Sequence, residues 1–517
     1  MKKYYILTII MLLVGLQLIA QKIPPTNQLD QLEYTITLSS NQKEYLHQIK
    51  SLLQESILKN KWNIIITEQY IEYADLKIIL NSQKEYTSIS FFTEEEQKCK
   101  HIISSKNSNK TINQITQFIK QYFYSGIPPT YSTVFEKEKD GYFEYRIPSV
   151  ITLPSQRIIA IAEAREEGKT DCEKNDIVLK YSDNNGKNWS PIIVAAEAGE
   201  ASLNNPTTIF IEELNRILVL FQEYPPATTE ALTETGLTGK RITRFHYVYS
   251  DDNGITWSNK QEITETAKLP EATGYASGPG IGIRVVSGPD KGRILIPMNV
   301  SGSSNGWFNY LIASDDLGKN WKILPGKSMY GTNESQIIQL SDSSFLINAR
   351  SHRYDKNDKT TPTEWNPWNF DKLPHYRASI IVSINKDQTK WFPTKICTNL
   401  PDPHCQGAIY RYSGLKNGEI SRILFTNPAS QISYPSNPLK RATPPARING
   451  TIRLSYNNGK TWSWSKRIYG NRFTEFQYSV LTRLNSGKIG CLFETGSKIK
   501  FAVLDMQWLS SGEDSGK

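Results

Sequence analysis

Cysteine is scarce in this chain: five residues in 517, at Cys99, Cys172, Cys397, Cys405 and Cys491. Their odd number and scatter exclude a disulfide framework. Cys397 and Cys405 could pair, and His404 beside Cys405 lacks zinc-site spacing. Dense runs of one charge are missing too. The formal net charge is +9, but Lys and Arg are dispersed, which argues against a nucleic-acid-binding tract. A soluble basic protein, or one whose field attracts anionic glycans, is what remains. Long apolar runs are confined to the first residues. Lys2 and Lys3 precede an apolar stretch over 6–18 that is short for a bilayer. Residues 1–20 therefore read as a signal peptide, with a cleavage zone at 19–21 and no nearby cysteine to carry a lipid anchor. No second membrane-spanning candidate follows, so the expected location is exported: periplasm, cell surface or medium.

Glycine is sparse over 26–127, where Gln, Asn, Lys and Ile abound. Alternation at 32–38 predicts a strand. Leu46, Ile49, Leu52, Leu53 and Ile57 share one face of a helix predicted over 45–58. Short strands are predicted at 63–67, 76–80 and 88–92, and a second helix at 112–123. This is a small α+β domain with no catalytic constellation. Gly126, Pro128 and Pro129 make 125–130 rich in breakers, and 128–141 reads as a linker. From residue 142 to 509 strands and turns alternate, and 510–517 reads as a flexible tail.

The second region carries a repeat of the form Ser-x-Asp/Asn-x-Gly-x-x-Trp: SDNNGKNW at 182–189, SDDNGITW at 250–257, SDDLGKNW at 314–321 and SYNNGKTW at 455–462. Each copy follows an apolar or aromatic strand. Copies start 68, 64 and 141 residues apart, so the last gap should hide a degenerate copy, loosely matched by 383–387 with Trp391. Asp and Asn fold back onto backbone N–H groups, Gly takes turn angles that other residues resist, and Trp buries a large surface between neighbouring sheets. The motif is thus a structural clip, one per sheet. A period of about 65 residues over about 370 gives five or six sheets, and radial packing into a β-propeller leaves only short edges.

The clips resemble the Asp boxes of sialidases, and the segments between them sharpen the likeness. YRIP at 145–148, AEAR at 162–165, ASGPGIG at 276–282, GRILIP at 292–297, NESQ at 333–336, NARS at 348–351, CQGAI at 405–409 and YSVL at 478–481 occur in that family's order. Over 142–509 the chain resembles the bacterial-type exo-α-sialidases of glycoside hydrolase family 33. The resemblance implies a mainly β fold, a six-bladed propeller behind the α+β domain. It departs from the family at Asn184 and Asn457, where Asp is usual, and in a longer stretch at 469–477.

Sialic acid bears a carboxylate on its anomeric carbon, and arginine grips a carboxylate best through its rigid fork of donors. The resemblance implies a triad of Arg146, Arg350 and Arg447, with Glu494 holding the first. It assigns the nucleophile to Tyr478, the base to Glu334 and the general acid to Asp171, with Asp176 a weaker alternative. A neutral phenol avoids the like-charge repulsion that a carboxylate nucleophile would meet there. It needs a base, since its usual pKa is about 10. Neighbouring arginines would also favour phenolate, and partial burial should raise the pKa of Asp171. Arg165 would help Asp171 hold ring hydroxyls, and Gln406 and Asn205 are candidates for the glycerol or N-acyl end. Glu166, Glu167 and Glu173 read as solvated. No metal or organic cofactor is implied, and 278–282 has the wrong spacing for a nucleotide loop. The expected reaction is retaining hydrolysis of terminal α-sialosides on glycoproteins, glycolipids or oligosaccharides. The alternatives are a trans-sialidase or a sialic acid-binding propeller without catalysis.

Overall fold

A computed structural model describes residues 34–40, 43–60, 64–67, 76–82, 86–93, 98–105, 108–168, 170–303, 306–328, 331–351, 376–416, 418–430 and 446–517. The expected signal peptide lies outside them. No described helix is long and apolar enough to cross a membrane. The chain forms two compact units, one running to Thr116 together with Tyr469–Asn471, the other comprising the rest from Gln117.

In the first unit, strand Tyr34–Ser40 pairs in parallel with Ile64–Thr67 and Leu76–Ser82, and the sheet continues antiparallel through Tyr86–Thr93 and Lys98–Ser105. Helix Lys43–Asn60 supplies the crossover between the first two strands. Its apolar stripe is buried at Leu46, Ile49, Leu53 and Ile57, while Leu58 faces water. The last strand of this sheet escaped the sequence reading, because the polar run KCKH masks any alternation.

The second unit is mainly β, with a propeller-like arrangement of antiparallel sheets. Six separate sheets were expected. Instead, among the described residues, four sheets of four or five strands accompany one of nine. The nine-stranded sheet arises because strand Asn175–Ser182 meets strand Ser202–Ile211 at a single parallel pair, Asn175 with Ser202. First strands of several meanders touch the next. Glu144–Thr152 packs beside both Ser202–Ile211 and Gln477–Arg483, and Ala408–Ser413 lies between Thr332–Ser341 and Gln477–Arg483. The apolar core is layered between successive sheets. Val150, Ala160 and Val178 meet Val480, Leu492 and Phe501 in one layer, and Phe245 and Tyr275 meet Met298 and Tyr310 in another.

The presumed linker is not one. Strand Thr130–Glu136 within it pairs with Lys498–Leu504 and completes the last sheet. The tail is also held: Arg422 donates to Asp514 at 2.7 and 2.8 Å, and both side chains are buried.

The four repeated turns share one hydrogen-bond scheme. The Ser hydroxyl (Ser182, Ser250, Ser314, Ser455) accepts from the Gly amide four residues on, at 2.9–3.0 Å. The third residue, whether Asn184, Asp252, Asp316 or Asn457, accepts the amide four residues on at 2.9–3.0 Å. Asn therefore closes the turn as Asp does. Gly186, Gly254, Gly318 and Gly459 all have φ between 77 and 88°, a region open to glycine. Trp321 and Trp462 are buried between sheets, and Trp189 meets Phe501 edge-on at 5.4 Å. The loosely matched copy is instead a two-residue hairpin at Lys386 and Asp387.

A second repeat accompanies the turns. Arg157, Arg216, Arg293 and Arg422 each open the second strand of a meander. The first three clasp the second residue of their own turn, Asp183, Asp251 and Asp315, at 2.6–2.7 Å. The guanidinium groups of Arg157 and Arg216 also stack on Tyr181 and Tyr249 at 3.8 Å. In the fourth turn that position is Tyr456, and the carboxylate comes from Asp514, which also accepts from the Tyr456 hydroxyl at 2.9 Å.

Candidate active site

Three distortions in first strands bring the core of the site together. The ladder of Glu144–Thr152 slips between Arg146 and Ser149, that of Thr332–Ser341 between Thr332 and Ser335, and that of Gln477–Arg483 between Gln477 and Ser479. Such bulges re-aim a side chain off the pleat. They lie beside Arg146, Glu334 and Tyr478. Two residues here have positive φ, Ile147 at 51° and Tyr478 at 25°, which is backbone strain of the kind that gathers at functional sites.

The Tyr478 hydroxyl donates to Glu334 Oε1. Glu334 Oε2 accepts from Arg350 Nη1 at 2.9 Å. The guanidinium carbons of Arg146 and Arg447 lie 5.4 and 5.7 Å from the Tyr478 ring centre. The structure thus gathers all three arginines, the tyrosine and the glutamate, although they are spread from 146 to 478 in the chain. Glu494 is buried and holds the first arginine: Arg146 Nε donates to it at 2.8 Å, and the Ile147 amide at 2.6 Å.

Electrostatics differ from the expectation in one respect. Burial, and then the facing Glu334 carboxylate, push the Tyr478 phenol well above its usual pKa, and Arg350 and Arg447 only partly oppose this. The resting phenol is protonated, so its reactivity depends on the base bonded to it. Burial also raises the Glu494 carboxyl, against the pull of Arg146. Burial alone would lower the pKa of Arg146, but Glu494 and Tyr478 carry it above the ordinary arginine value.

Asp171 lies beside a second cluster. Its carboxylate accepts from Arg165 Nη2, and the same nitrogen donates to Glu163 at 3.0 Å. The Asp171 carbonyl accepts from Asn204 Nδ2 at 2.6 Å and Ser202 Oγ at 3.0 Å, which fixes its loop. The expected partial burial is not observed: the Asp171 side chain is 71% exposed. It lies on the loop between strands Ile158–Arg165 and Asn175–Ser182. Asp176 is committed elsewhere, accepting from the Tyr142 hydroxyl and the Ala198 amide, both at 2.7 Å.

Two weaker candidates do structural work. Gln406 is buried, and its Oε1 accepts the Ser479 amide at 3.0 Å, so it braces the bulge at Tyr478. Asn205, at φ 56°, donates its amide to Glu163 Oε1 at 2.7 Å. Glu163 escaped the sequence reading. It is fully buried, and burial pushes its pKa up to about 7 against the pull of Arg165. The only signal for it was its place in the AEAR segment. His404 was dismissed as a metal ligand, yet its ring reaches Arg350. Cys172, Cys397, Cys405 and Cys491 are free thiols. Among the described residues no group of three or more His, Cys, Asp or Glu could hold a metal ion.

The family described as BNR repeat-like domain matches residues 156–491. Curated relatives include a sialidase of Micromonospora viridifaciens, 26% identical over 389 residues, covering 72% of this chain and 53% of that protein. A sialidase of Bacteroides fragilis is 22% identical over 377 residues, covering 69% of this chain and 61% of the relative. The chain thus spans little more than half the length of these two relatives. Among solved structures, a Hadza microbial sialidase matches with TM-score 0.59 and 19% identity, over 82% of this chain and 74% of its own. The intramolecular trans-sialidase of Ruminococcus gnavus matches with TM-score 0.59 and 18% identity, over 73% and 98%. These structures share the fold.

Proposed function

Because the chain belongs to the BNR repeat-like domain family, whose match spans most of the unit that carries the site, we propose that it is an exo-α-sialidase, hydrolysing terminal α-linked sialic acid with retention through a sialyl-tyrosine intermediate. The observation that carries this reading is the buried hydrogen bond from Tyr478 to Glu334 beneath three arginines. In this reading Arg146, Arg350 and Arg447 hold the substrate carboxylate. Tyr478 Oη attacks the anomeric carbon while Glu334 takes its proton, and Asp171 gives a proton to the departing aglycone oxygen. Asp171 then draws a proton from water, whose oxygen bonds to the anomeric carbon as the bond to Tyr478 breaks, and Glu334 returns its proton to the departing Tyr478 oxygen. A tyrosine nucleophile makes sialidases an exception to the two-carboxylate rule.

The same reading treats the ring as six-bladed, with the nine-stranded sheet counted as two blades joined at one pair, and the four repeated turns as Asp boxes. The expected substrates are sialylated glycoproteins, glycolipids or oligosaccharides. Export is inferred from residues 1–20 alone, and the first unit has no assigned role. Transfer in place of hydrolysis is the second reading, favoured by the structural likeness to the intramolecular trans-sialidases of Ruminococcus gnavus and leech. A non-catalytic lectin would have no need of a buried tyrosine–glutamate pair.

The test is fluorophore release from an aryl α-sialoside by the wild-type chain and by Tyr478→Phe. The variant should lose activity on the order of a thousandfold or more. Near-normal activity in the variant would remove Tyr478 from the mechanism. An inactive wild type that binds sialic acid would favour the lectin. Analysis of the sugar released separates hydrolysis from intramolecular transfer.

A further inference from the structure

His404 stands at the joint between two of the three arginines. Its ring Nδ1 lies 2.7 Å from Arg350 Nη2, and its carbonyl oxygen accepts from Arg447 Nη2 at 2.8 Å. A guanidinium has only donors, so Nδ1 is the unprotonated, accepting nitrogen of the ring. The residue is 8% exposed and has φ 62°, a left-handed conformation that a non-glycine residue holds only under constraint.

The constraint is visible. Arg377, fully buried, donates from Nη1 to the Cys405 carbonyl at 2.7 Å and to Asp402 Oδ2 at 3.3 Å, and from Nε to Asn348 at 2.8 Å. Asp402 Oδ1 accepts the Cys405 amide at 3.0 Å. On the other side Gln406 ties the strap to the Ser479 amide. The segment from Asp402 to Gln406 is therefore fixed at both ends, and between the anchors His404 meets Arg350 with its ring and Arg447 with its carbonyl.

We propose that His404 is a positioning residue of the carboxylate site: it sets the spacing between Arg350 and Arg447 so that both forks face one carboxylate. This rests on the sialidase reading. Arg350 also bonds Glu334, which bonds Tyr478, so a released Arg350 loosens the grip on the substrate first and the base second. Each terminal nitrogen of a guanidinium carries two N–H groups. A bond to His404 thus leaves one donor per nitrogen for the ligand, with its direction fixed.

Three variants separate the ring's acceptor from backbone strain. In His404→Asn the amide oxygen occupies the place of Nδ1, and asparagine tolerates the left-handed conformation. His404→Gly also tolerates it and keeps the carbonyl for Arg447, but offers Arg350 nothing. His404→Leu fills the space without an acceptor. With an aryl α-sialoside, His404→Gly and His404→Leu should raise KM by about tenfold to a hundredfold, the range of one lost hydrogen bond to a charged group. The fall in kcat should be smaller, and His404→Asn should recover most of the affinity. Equal KM values in the Gly and Asn variants would overturn the proposal, as would a loss confined to kcat. If the wild type does not turn over sialosides, the sialidase reading fails separately. Calorimetric binding of free sialic acid then carries the test, and a Gly variant that binds as tightly as the Asn variant would again overturn the role of His404.

Discussion

Lys268 is fully buried, with its ammonium 3.4 Å from the Thr243 carbonyl and 5.2 Å from the centre of the Tyr275 ring. Burial lowers its pKa from 10.5 to about 8. The folded-state pKa of a base is depressed here, so between pH 8 and 10.5 the unfolded chain binds more protons. Stability should rise with pH across that window, and the cost should be fully present below it. Replacing the lysine by methionine, which fills the same space without a charge, should stabilise the protein at neutral pH by about 3 kcal/mol and remove the alkaline rise. Denaturant melts of Lys268→Met at pH 7 and pH 10 test this; an unchanged pH slope would rule it out. At this scale legibility in the sequence is uneven. Arg146, Glu334, Arg350, Arg447, Tyr478 and Glu494 could be named because each sits in a recognisable local segment, and the fold gathers them. Glu163 and His404 could not, because what distinguishes them is a partner: Arg165 and the Asn205 amide for one, two remote arginines for the other. The exposure of Asp171 was illegible for the same reason, since it depends on how the folded chain presents its loop.

Among the elements, the recurring clasp between an arginine and its turn offers an internal comparison. Arg157 and Asp183 form a bidentate pair in which the Asp183 side chain is 57% exposed. Arg422 and Asp514 form the same pair with side chains only 4 and 8% exposed. Exposed pairs contribute about 0–1 kcal/mol, because water screens them. Removing one partner of a buried pair costs about 3–5 kcal/mol, because the other charge is left stranded. Asp183→Ala should therefore melt within a degree or two of wild type, while Asp514→Ala should destabilise strongly and pull the C-terminal residues out of protection in hydrogen exchange. Similar losses in both variants would show that burial is not what sets the difference. The turns themselves were legible, since Ser, Asp or Asn, Gly and Trp each act within eight residues. The tail was not. Its Gly and Ser residues suggest flexibility, and its anchor lies 92 residues upstream at Arg422. The repeated Arg-Ile-Ile/Leu strand openings were in plain view at 157, 216, 293 and 422, and would have pointed to Tyr456 as the odd residue among the turns.

For the molecule as a whole, the second unit depends on strand Thr130–Glu136, which brings residues near its start against strand Lys498–Leu504 near its end. The sequence hid this strand, because prolines precede it, charges follow it, and its partner is more than 360 residues away. The sheet count was hidden for a related reason: one contact between Asn175 and Ser202 fuses two meanders, and no local pattern announces it. The closing strand buries Val134 and Phe135 against Tyr145, Val480, Leu492 and Phe501. Without it those side chains would meet water, at about 25 cal/mol per Å² of apolar surface, and Lys498–Leu504 would become an open edge that invites association with another chain. The loss would reach the site directly, because Tyr478 and Glu494 lie on the first two strands of that sheet and Glu494 orients Arg146. A chain beginning at Asp140 should accordingly be prone to aggregation, melt without a cooperative transition and release no fluorophore from an aryl sialoside. A chain beginning at Ser108 keeps the strand and the Tyr122 carbonyl that accepts from Lys466 and Ser511, and should melt cooperatively and remain active. If the shorter chain proved as stable and active as the longer one, the strand would be an ornament to the ring, and the sheet carrying Tyr478 would have to be held by its neighbours alone.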